Sequence, residues 1–169
     1  HSKKFTVALV TGHIPVAKVA DSLTEELLME KIIAVNNSLV RDFKIKNPKI
    51  NILSLNPHRG DGGMIGDEEI DLIEPVIEEM NSIGFNLRGP YASDAYFANK
   101  IYERSDITLA MYHDQGLIPF KMISFGKGVN FTAGLNIIRT SPDHGTAFDI
   151  AGMGLANIES TKEAIKFAA

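Results

Sequence analysis

The sequence predicts an α/β protein, because short apolar segments typical of strands alternate along it with amphipathic helical patterns. The strand candidates are FTVALV (5–10), INILSL (50–55), ITLAMY (107–112), VNFTA (129–133), NIIRT (136–140) and a weaker FNLRGPY (85–91). Only Gly134 and Leu135 separate two of them, 129–133 and 136–140, which suits an antiparallel hairpin and is too short for a parallel crossover. We therefore expect a mixed, partly parallel sheet sandwiched by helices.

The longest helix is predicted within DSLTEELLMEKIIAVNNSLVRDF (21–43). Ser22 and Glu25 have the spacing of a capping box, in which each side chain bonds the other residue's backbone N–H. The apolar residues that share one face are Leu28, Ile32, Val35 and Leu39. This face should pack against the sheet.

Two shorter helices are predicted between the strands. In GDEEIDLIEPVIEEMNSIG (66–84), Pro75 favours an acidic turn followed by a helix that starts near Glu74 and ends before Gly84. In SDAYFANKIYERS (93–105), Ser93 or Asp94 is the expected N-cap.

Length and composition favour a single cytoplasmic α/β domain covering residues 1–169. The apolar share is 44% and the charged share 22%, both ordinary for a soluble globular protein. A net charge of -4 argues against nucleic acid or an anionic membrane as a partner, and no apolar run approaches the length of a bilayer span. The first residues also lack the pattern of a secretory signal. Since the chain has no cysteine, thiol catalysis is excluded and any metal must be held by nitrogen and oxygen ligands.

Three of the five histidines occupy the same kind of position. His13, His58 and His113 each follow an apolar strand candidate by one to three residues. In open α/β sheets, polar residues just past the strand ends line the ligand crevice, and neighbouring strands are only about 4.8 Å apart. Three imidazoles gathered there would make a metal site able to polarise a substrate oxygen. Each histidine alone also suits a structural role, such as capping a strand before a loop.

Asp114, next to His113, has two interpretations that the sequence does not separate. The carboxylate either orients the imidazole of a metal-binding histidine or is a solvated loop residue.

The segment NPHRGDGGMIG (56–66) is rich in glycine but does not match a nucleotide-binding loop. A GxGxxG pattern starting at Gly60 would need glycine where Ile65 stands, and no Walker Gly-Lys-Ser/Thr is present. We expect a turn that needs positive φ at one or more glycines. The functional alternative is a backbone that comes close to His58 or to a ligand.

Polar residues surround the predicted hairpin, at Lys121, Lys127, Asn130 and Arg139. Lysine and arginine are commonly solvated, yet Arg139 ends the apolar NIIRT and Lys121 lies within the apolar IPFKMI. A buried cation is costly unless it is paired. Embedded at these positions, the two side chains predict an anionic partner such as the phosphate or carboxylate of a small substrate.

The C-terminal segment RTSPDHGTAFDIAGMGLANIES (139–160) resembles a known cofactor-binding loop. It is similar to the His-Gly-Ser/Thr-Ala-x-Asp-Ile-Ala-Gly loop of the isocitrate and isopropylmalate dehydrogenases, which wraps the adenosine end of the nicotinamide cofactor. The resemblance implies a fold like that of these dehydrogenases and NAD, or NADP, bound by His144, Gly145, Thr146 and Asp149. The alternative for Gly152 and Gly154 is a turn before the last helix.

Together the motifs resemble the 4-hydroxythreonine-4-phosphate dehydrogenase family, a metal-dependent family of pyridoxal phosphate biosynthesis. The matching segments are TGHIPV, NPHRGDGG, ASDAYF, AMYHDQGL, GVNFTAGL and RTSPDHGTAFDIAG. The resemblance implies that His13, His58 and His113 bind a divalent metal such as zinc, magnesium or cobalt. It places substrate binding on Lys121, Asn130 and Arg139, and catalysis on Lys121 and Asp94.

Family resemblance also implies a reaction and an assembly. The expected reaction is NAD-dependent oxidation of 4-phosphooxy-L-threonine at C3, followed by loss of CO₂ from the β-keto acid. Family members are about twice this long and have two domains, so the chain is expected to be the C-terminal part of a two-domain enzyme. They form homodimers with residues of both subunits around each active site, so the three histidines need not meet within one chain.

Two rival functions are compatible with the same motifs. One is a sister class that oxidises 4-phospho-threonate or 4-phospho-erythronate with the same metal site and cofactor loop. The other is a non-catalytic fragment that binds a phosphorylated ligand or mediates dimerisation.

Overall fold

The computed structural model describes residues 1–124, 126–143, 145 and 148–169. It contains a four-stranded parallel sheet with helices on its faces and a separate two-stranded antiparallel ribbon. The strands of the parallel sheet are β1 (Val7–Leu9), β2 (Lys49–Leu53), β3 (Asn86–Tyr91) and β4 (Ile107–Ala110), in the spatial order β1-β4-β2-β3. The α/β class and a helix-flanked parallel sheet are therefore confirmed.

The two central strands are buried on both faces. Ile50 and Ile52 of β2 and Leu109 of β4 have no exposed side-chain surface. In register, Ile50 pairs with Ile107 and Ile52 with Leu109, so large apolar residues stack across the strands. The polar side chains between them, Asn51 of β2 and Thr108 of β4, are also buried, and both hydrogen-bond the Tyr96 hydroxyl. A strand covered by helices on both sides buries both of its faces.

The helices are α1 (Val19–Ser22), α2 (Glu25–Arg41), α3 (Glu74–Ser82), α4 (Ser93–Ala98), α5 (His113–Ser124) and α6 (Glu159–Ala168). The four apolar residues predicted to share the inner face of α2 are all buried, as expected. The predicted capping box is wrong, because Ser22 ends α1. The N-cap of α2 is Thr24, whose hydroxyl accepts from the N–H of Leu27 at 3.2 Å.

The predicted start of α3 at Glu74, with Pro75 in the first turn, is confirmed. The acidic turn expected before it is a short π-helix, Glu69–Ile73, that runs directly into α3. The predicted side-chain cap of α4 is wrong. The residue at the N-cap is Ala92, and no side chain bonds the first turn.

The antiparallel ribbon pairs β5 (Val129–Phe131) with β6 (Thr140–Pro142) and forms a sheet of its own rather than an edge of the parallel sheet. The prediction of a strand at 136–140 is wrong. Phe131 pairs with Thr140, so most of the NIIRT segment belongs to the connection, where Ile137 and Ile138 are 71% and 58% exposed. Branched apolar residues gave this segment its strand-like pattern, but the pairing positions are taken by the residues that follow it.

None of the helices in the described part of the chain has the length and apolar character needed to cross a membrane.

Candidate active site at the carboxyl edge of the parallel sheet

The carboxyl ends of the four parallel strands lie at one edge of the sheet. The segments that leave this edge carry His13 after β1, His58 after β2, Asp94 after β3 and His113 after β4. The chain after β4 does not form the loop expected from the sequence. It turns directly into α5, with His113 as its first residue.

His13 and His113 lie side by side at this edge. Their ring centroids are 5.2 Å apart and the ring planes are inclined by 49°. β1 and β4 are hydrogen-bonded neighbours in the sheet, which brings the two segments together. Two imidazole nitrogens about 2.0–2.1 Å from one tetrahedral cation would place their ring centroids about 5 Å apart. The pair therefore has the separation of two ligands to one metal ion.

Asp114 orients the ring of His113. The Asp114 Oδ1 to His113 Nδ1 distance is 2.6 Å. A carboxylate can only accept, so this bond requires a proton on Nδ1 and leaves Nε2 of the neutral ring as an electron-pair donor. A carboxylate behind a histidine fixes its tautomer and raises its basicity toward a metal. The structure thus favours the orienting role over that of a solvated loop residue.

His58 does not join the pair within one chain. Among the described residues, no group of three His, Asp or Glu side chains is arranged to hold a metal ion. His58 is exposed and begins a left-handed turn, with φ between 47° and 76° at each of the five residues 58–62. The prediction of positive φ in this glycine-rich segment is confirmed, and it extends to the non-glycine residues His58, Arg59 and Asp61.

A buried carboxylate holds the entry to this turn. Glu69 is 0% exposed, and its Oε1 accepts from the backbone N–H groups of Leu55 and Asn56 at 2.7 and 2.8 Å. Its Oε2 accepts from the Asn56 side-chain amide at 3.0 Å. Gly60 packs so closely that a Cβ there would collide with the carbonyl oxygen of Gly66. These contacts satisfy the buried charge and fix the backbone that leads to His58.

A cavity of about 380 Å³ opens beside the histidine pair. His13, His113 and Asn130 line it, and much of the remaining wall is apolar, including Leu9 and Leu117. The volume suits a small ligand. The cavity connects the edge of the parallel sheet with the antiparallel ribbon and brings one predicted substrate-binding residue to the predicted metal ligands.

The other two predicted substrate-binding residues lie outside this cavity, and the expectation that they are embedded is wrong for the described structure. Lys121 is exposed and lies eight residues beyond His113 in α5, about 12 Å along the helix axis. Arg139 is exposed and donates from Nη1 to the Thr132 hydroxyl at 2.8 Å. Met122, which follows Lys121, and Ile138, which precedes Arg139, also face solvent, whereas Phe120 on the other side of Lys121 is buried. An apolar sequence on either side of Lys121 and Arg139 therefore did not show that these two side chains are buried.

Comparisons with known proteins agree with this architecture. A family model described as "Pyridoxal phosphate biosynthetic protein PdxA" matches residues 1–168. The chain belongs to the PdxA family. It is 52% identical over 161 residues to a 4-hydroxythreonine-4-phosphate dehydrogenase of Bacteroides thetaiotaomicron, covering 95% of this chain and 44% of that relative. The enzyme of the same name from Roseobacter denitrificans is 50% identical, with 99% of this chain and 52% of the relative covered.

Solved structures give the same result. The crystal structure of 4-hydroxythreonine-4-phosphate dehydrogenase from Klebsiella pneumoniae superposes with a TM-score of 0.88 at 40% identity. The match covers 99% of this chain and 50% of that one. This PdxA-family chain therefore spans about half the length of the relatives it matches.

The predicted cofactor-binding residues of this PdxA-family chain are described only in part. His144 and Thr146 lie outside the described residues. Gly145 is exposed, and Asp149 is exposed within a short 3-10 turn, Phe148–Ile150. Phe148, beside Asp149, is 82% exposed. Within the described residues, this segment is an open surface rather than a closed pocket.

Asp94 lies at the predicted edge but makes no polar contact in the described structure that ties it to the histidine pair. It is the second residue of α4 and is exposed. Sequence analysis missed Glu69 and Gln115, two buried polar side chains whose bonding partners are 13 or more residues away in several cases. Neither residue stands out locally, because Glu69 lies in the acidic run GDEEID and Gln115 in the polar HDQG. Their burial depends on partners from distant segments, which the local sequence does not identify.

Proposed function

We propose that this chain is the C-terminal part of a two-domain, NAD- and metal-dependent 4-hydroxythreonine-4-phosphate dehydrogenase of pyridoxal phosphate biosynthesis. The reaction would be oxidation and decarboxylation of 4-phosphooxy-L-threonine. The observation that carries the proposal is the adjacent pair His13 and His113, 5.2 Å apart at the carboxyl edge of the sheet in a PdxA-family chain. The names of the relatives support the choice of substrate.

In this proposal the chain's own residues bind and orient. His13 and His113 each offer one ring nitrogen to a divalent zinc, magnesium or cobalt ion, and Asp114 keeps the ring of His113 in the correct tautomer. His58 is the third ligand, supplied across a homodimer interface, since it does not meet the pair within one chain. When bound, the cation would polarise the substrate hydroxyl, and NAD (or NADP) would accept the hydride.

The substrate would occupy the cavity beside the pair. Asn130 projects into it and would orient the substrate through hydrogen bonds. Asn130 lies in β5, Thr132 directly follows this strand, and Arg139 donates to the Thr132 hydroxyl. In the complete enzyme, Arg139 would bind the substrate phosphate from this end of the ribbon. Lys121 would bind phosphate or transfer a proton, with Asp94 as a second catalytic candidate.

The nicotinamide cofactor would bind along the segment of His144, Gly145, Thr146 and Asp149. Support for this assignment is the resemblance of the sequence to the dehydrogenase loop and the glycines that follow it. Gly152 and Gly154 have φ of 78° and 69°, values that only glycine adopts readily. They let the main chain turn closely around a ligand without a side chain in the way. A cytoplasmic location is part of the proposal.

A second candidate is a non-catalytic module that binds a phosphorylated ligand or mediates dimerisation. One observation favours it. The cavity beside the histidine pair has no lysine or arginine among its described lining residues. Without a cation in the cavity, the described chain alone has no evident partner for a substrate phosphate. The candidate predicts metal and ligand binding without turnover, even when the rest of a family enzyme is supplied.

The test uses the complete two-domain enzyme and measures zinc by calorimetry and NAD reduction by absorbance with phosphorylated hydroxythreonine. His13→Ala and His113→Ala should each abolish stoichiometric zinc binding and turnover. His13 is exposed and His113 is half-buried, and neither belongs to the core, so folding should be preserved. His1→Gln is the matched control, because His1 lines the same cavity and contacts the Thr6 hydroxyl. Unchanged metal content in His113→Ala would overturn the ligand assignment, and zinc binding without turnover in the wild type would favour the non-catalytic module.

A further inference from the structure

Gln115 is a buried amide at the junction of three strand ends. The residue is only 8% exposed and lies in the first turn of α5. Oε1 accepts from the N–H of Met111 at 2.6 Å. Nε2 donates to the carbonyl oxygen of Ser54 at 2.6 Å and to the hydroxyl of Ser93 at 2.9 Å. The side-chain oxygen of Gln115 and both N–H groups of its amide nitrogen are therefore hydrogen-bonded.

Each partner belongs to a different segment that leads to the candidate site. Met111 follows β4 and precedes His113 by two residues, Ser54 follows β2 and precedes His58 by four, and Ser93 precedes Asp94. The strands β4, β2 and β3 are consecutive neighbours in the sheet. One side chain thus bridges the carboxyl ends of three adjacent strands.

The fourth strand is joined to the same point. Thr11, which follows β1 and precedes His13 by two residues, is 5% exposed. Its hydroxyl and its N–H both donate to the carbonyl oxygen of Met111, at 2.7 and 3.1 Å. Met111 therefore receives Thr11 on its carbonyl oxygen and offers its N–H to Gln115. Together these bonds form a continuous chain across the whole edge.

We propose that Gln115 is a positioning residue that fixes the relative placement of His113, His58 and Asp94. This inference rests on the proposed function, because the placement matters only if His113 and Asp94 serve one active site and His58 serves the site completed by a second subunit. The amide chemistry is required. Glutamate would bring a carboxylate oxygen next to the carbonyl oxygen of Ser54, and neither atom can donate a hydrogen bond. Methionine would leave the Met111 N–H and the Ser54 carbonyl oxygen buried without this partner. Either change lets the segments shift while the sheet below them stays intact.

The proposal is tested with Gln115→Met, Gln115→Glu and the milder Ser93→Ala, which removes one of the three bonds. Thr108→Val is the matched control. It removes the 2.6 Å hydrogen bond to Tyr96 from a fully buried position in the body of β4, away from the edge. Each variant of the complete enzyme is measured for thermal midpoint, zinc affinity, and the hydrogen exchange of the segments that carry His58, Asp94 and His113.

We expect Gln115→Met and Gln115→Glu to weaken zinc binding about 10- to 100-fold and to accelerate exchange in all three segments, as loss of a supporting partner does at metal sites. Ser93→Ala should have a smaller effect, with faster exchange near Asp94. Thr108→Val should lower the thermal midpoint and leave zinc affinity within about 2-fold of the wild type. Zinc affinity that simply follows thermal stability across all four variants would overturn the proposal, as would unchanged exchange in Gln115→Met.

The two proposals fail in different ways. If the wild type binds no zinc but Gln115→Met still accelerates exchange in the three segments, the metal assignment fails and the positioning role stands. If zinc binding is intact and neither exchange nor affinity changes in Gln115→Met, the positioning role fails alone.

Discussion

At the scale of single residues, the ring of His113 contacts a carboxylate and lies beside a second imidazole. Asp114 contacts Nδ1 at 2.6 Å, and the ring of His13 lies 5.2 Å away. The position of each histidine after an apolar strand could be read from the sequence, since it depends only on neighbours along the chain. Their mutual distance depends on the order of the strands, which local sequence does not encode. The same limit applies to Gln115, whose partners come from three segments.

Asp114 should affect metal affinity without affecting folding. Asp114→Ala removes the acceptor that fixes the tautomer of His113, and we expect zinc binding to weaken about 10- to 100-fold. The side chain of Asp114 is 67% exposed, so the thermal midpoint should stay unchanged. Asp21→Ala is the control, because that aspartate is 74% exposed and lies in a loose ion pair with Lys18. Calorimetric titration with zinc measures both variants, and equal affinities would contradict the orienting role.

Tyr96 should resist ionisation in the folded protein. Burial raises the pKa of its phenol, which is 0% exposed and bonds Thr108 and Asn51. Because the folded-state pKa lies above the unfolded value near 10, this group stabilises the fold below that pH and the contribution is lost as pH rises through the folded-state pKa. The chain has four tyrosines and no tryptophan, so tyrosinate absorbance gives a direct reading. We expect one tyrosine to titrate last and together with alkaline unfolding.

Tyr96→Phe is the control for that titration. The variant should lose the late phase and keep the remaining three. A wild-type titration in which all four tyrosines ionise together, while the protein is still folded, would show that Tyr96 is not buried as described.

At the scale of elements, α5 approaches β1 and β4 closely at Gly116. A Cβ at that position would lie 2.9 Å from side-chain carbons of Val7 and Leu9 and 3.0 Å from the Cβ of Ala110. Helix propensity alone would favour alanine there by about 1 kcal/mol. The steric cost of these contacts is greater than this gain. The Cβ of Ala110 cannot rotate away, so the helix would have to move outward.

We therefore expect Gly116→Ala to destabilise the protein by about 1–3 kcal/mol, as overpacking does. Chemical denaturation of the complete enzyme measures this. Gly12→Ala is the matched control, since a Cβ at Gly12 would meet no atom within 4 Å and its φ is not positive. If the Gly116→Ala variant is as stable as the wild type or more stable, the close packing of α5 on the sheet is contradicted.

The elements also show where local sequence is sufficient. The buried strands follow from short segments that are mostly apolar, and the apolar face of α2 follows from helical spacing. The structure has both. The helix cap at Thr24 and the strand Thr140–Pro142 were missed. Ser22 and the NIIRT segment had stronger local signals, but helix α1 already uses Ser22 and β5 pairs with the later segment. In both cases, packing decides which of two neighbouring segments forms the cap or the strand. Local sequence patterns carry no information about that packing.

At the scale of the whole molecule, the described chain holds part of a site rather than all of it. Two histidines and Asn130 share a cavity, whereas His58, Lys121 and Arg139 do not join them. The chain also spans about half the length of its relatives. On our proposal, the remaining half and a second subunit complete the site. The family and the fold were predictable from motifs, whereas the separation of His58 from the histidine pair within the described chain is known only from the structure.

The most direct test of the central claim is a zinc-soaked crystal structure of the complete enzyme. We expect one ion within about 2.0–2.1 Å of a ring nitrogen of both His13 and His113, with His58 of a second subunit as a further ligand. An ion bound by only one of the paired histidines, or no ion between them at saturating zinc, would contradict it.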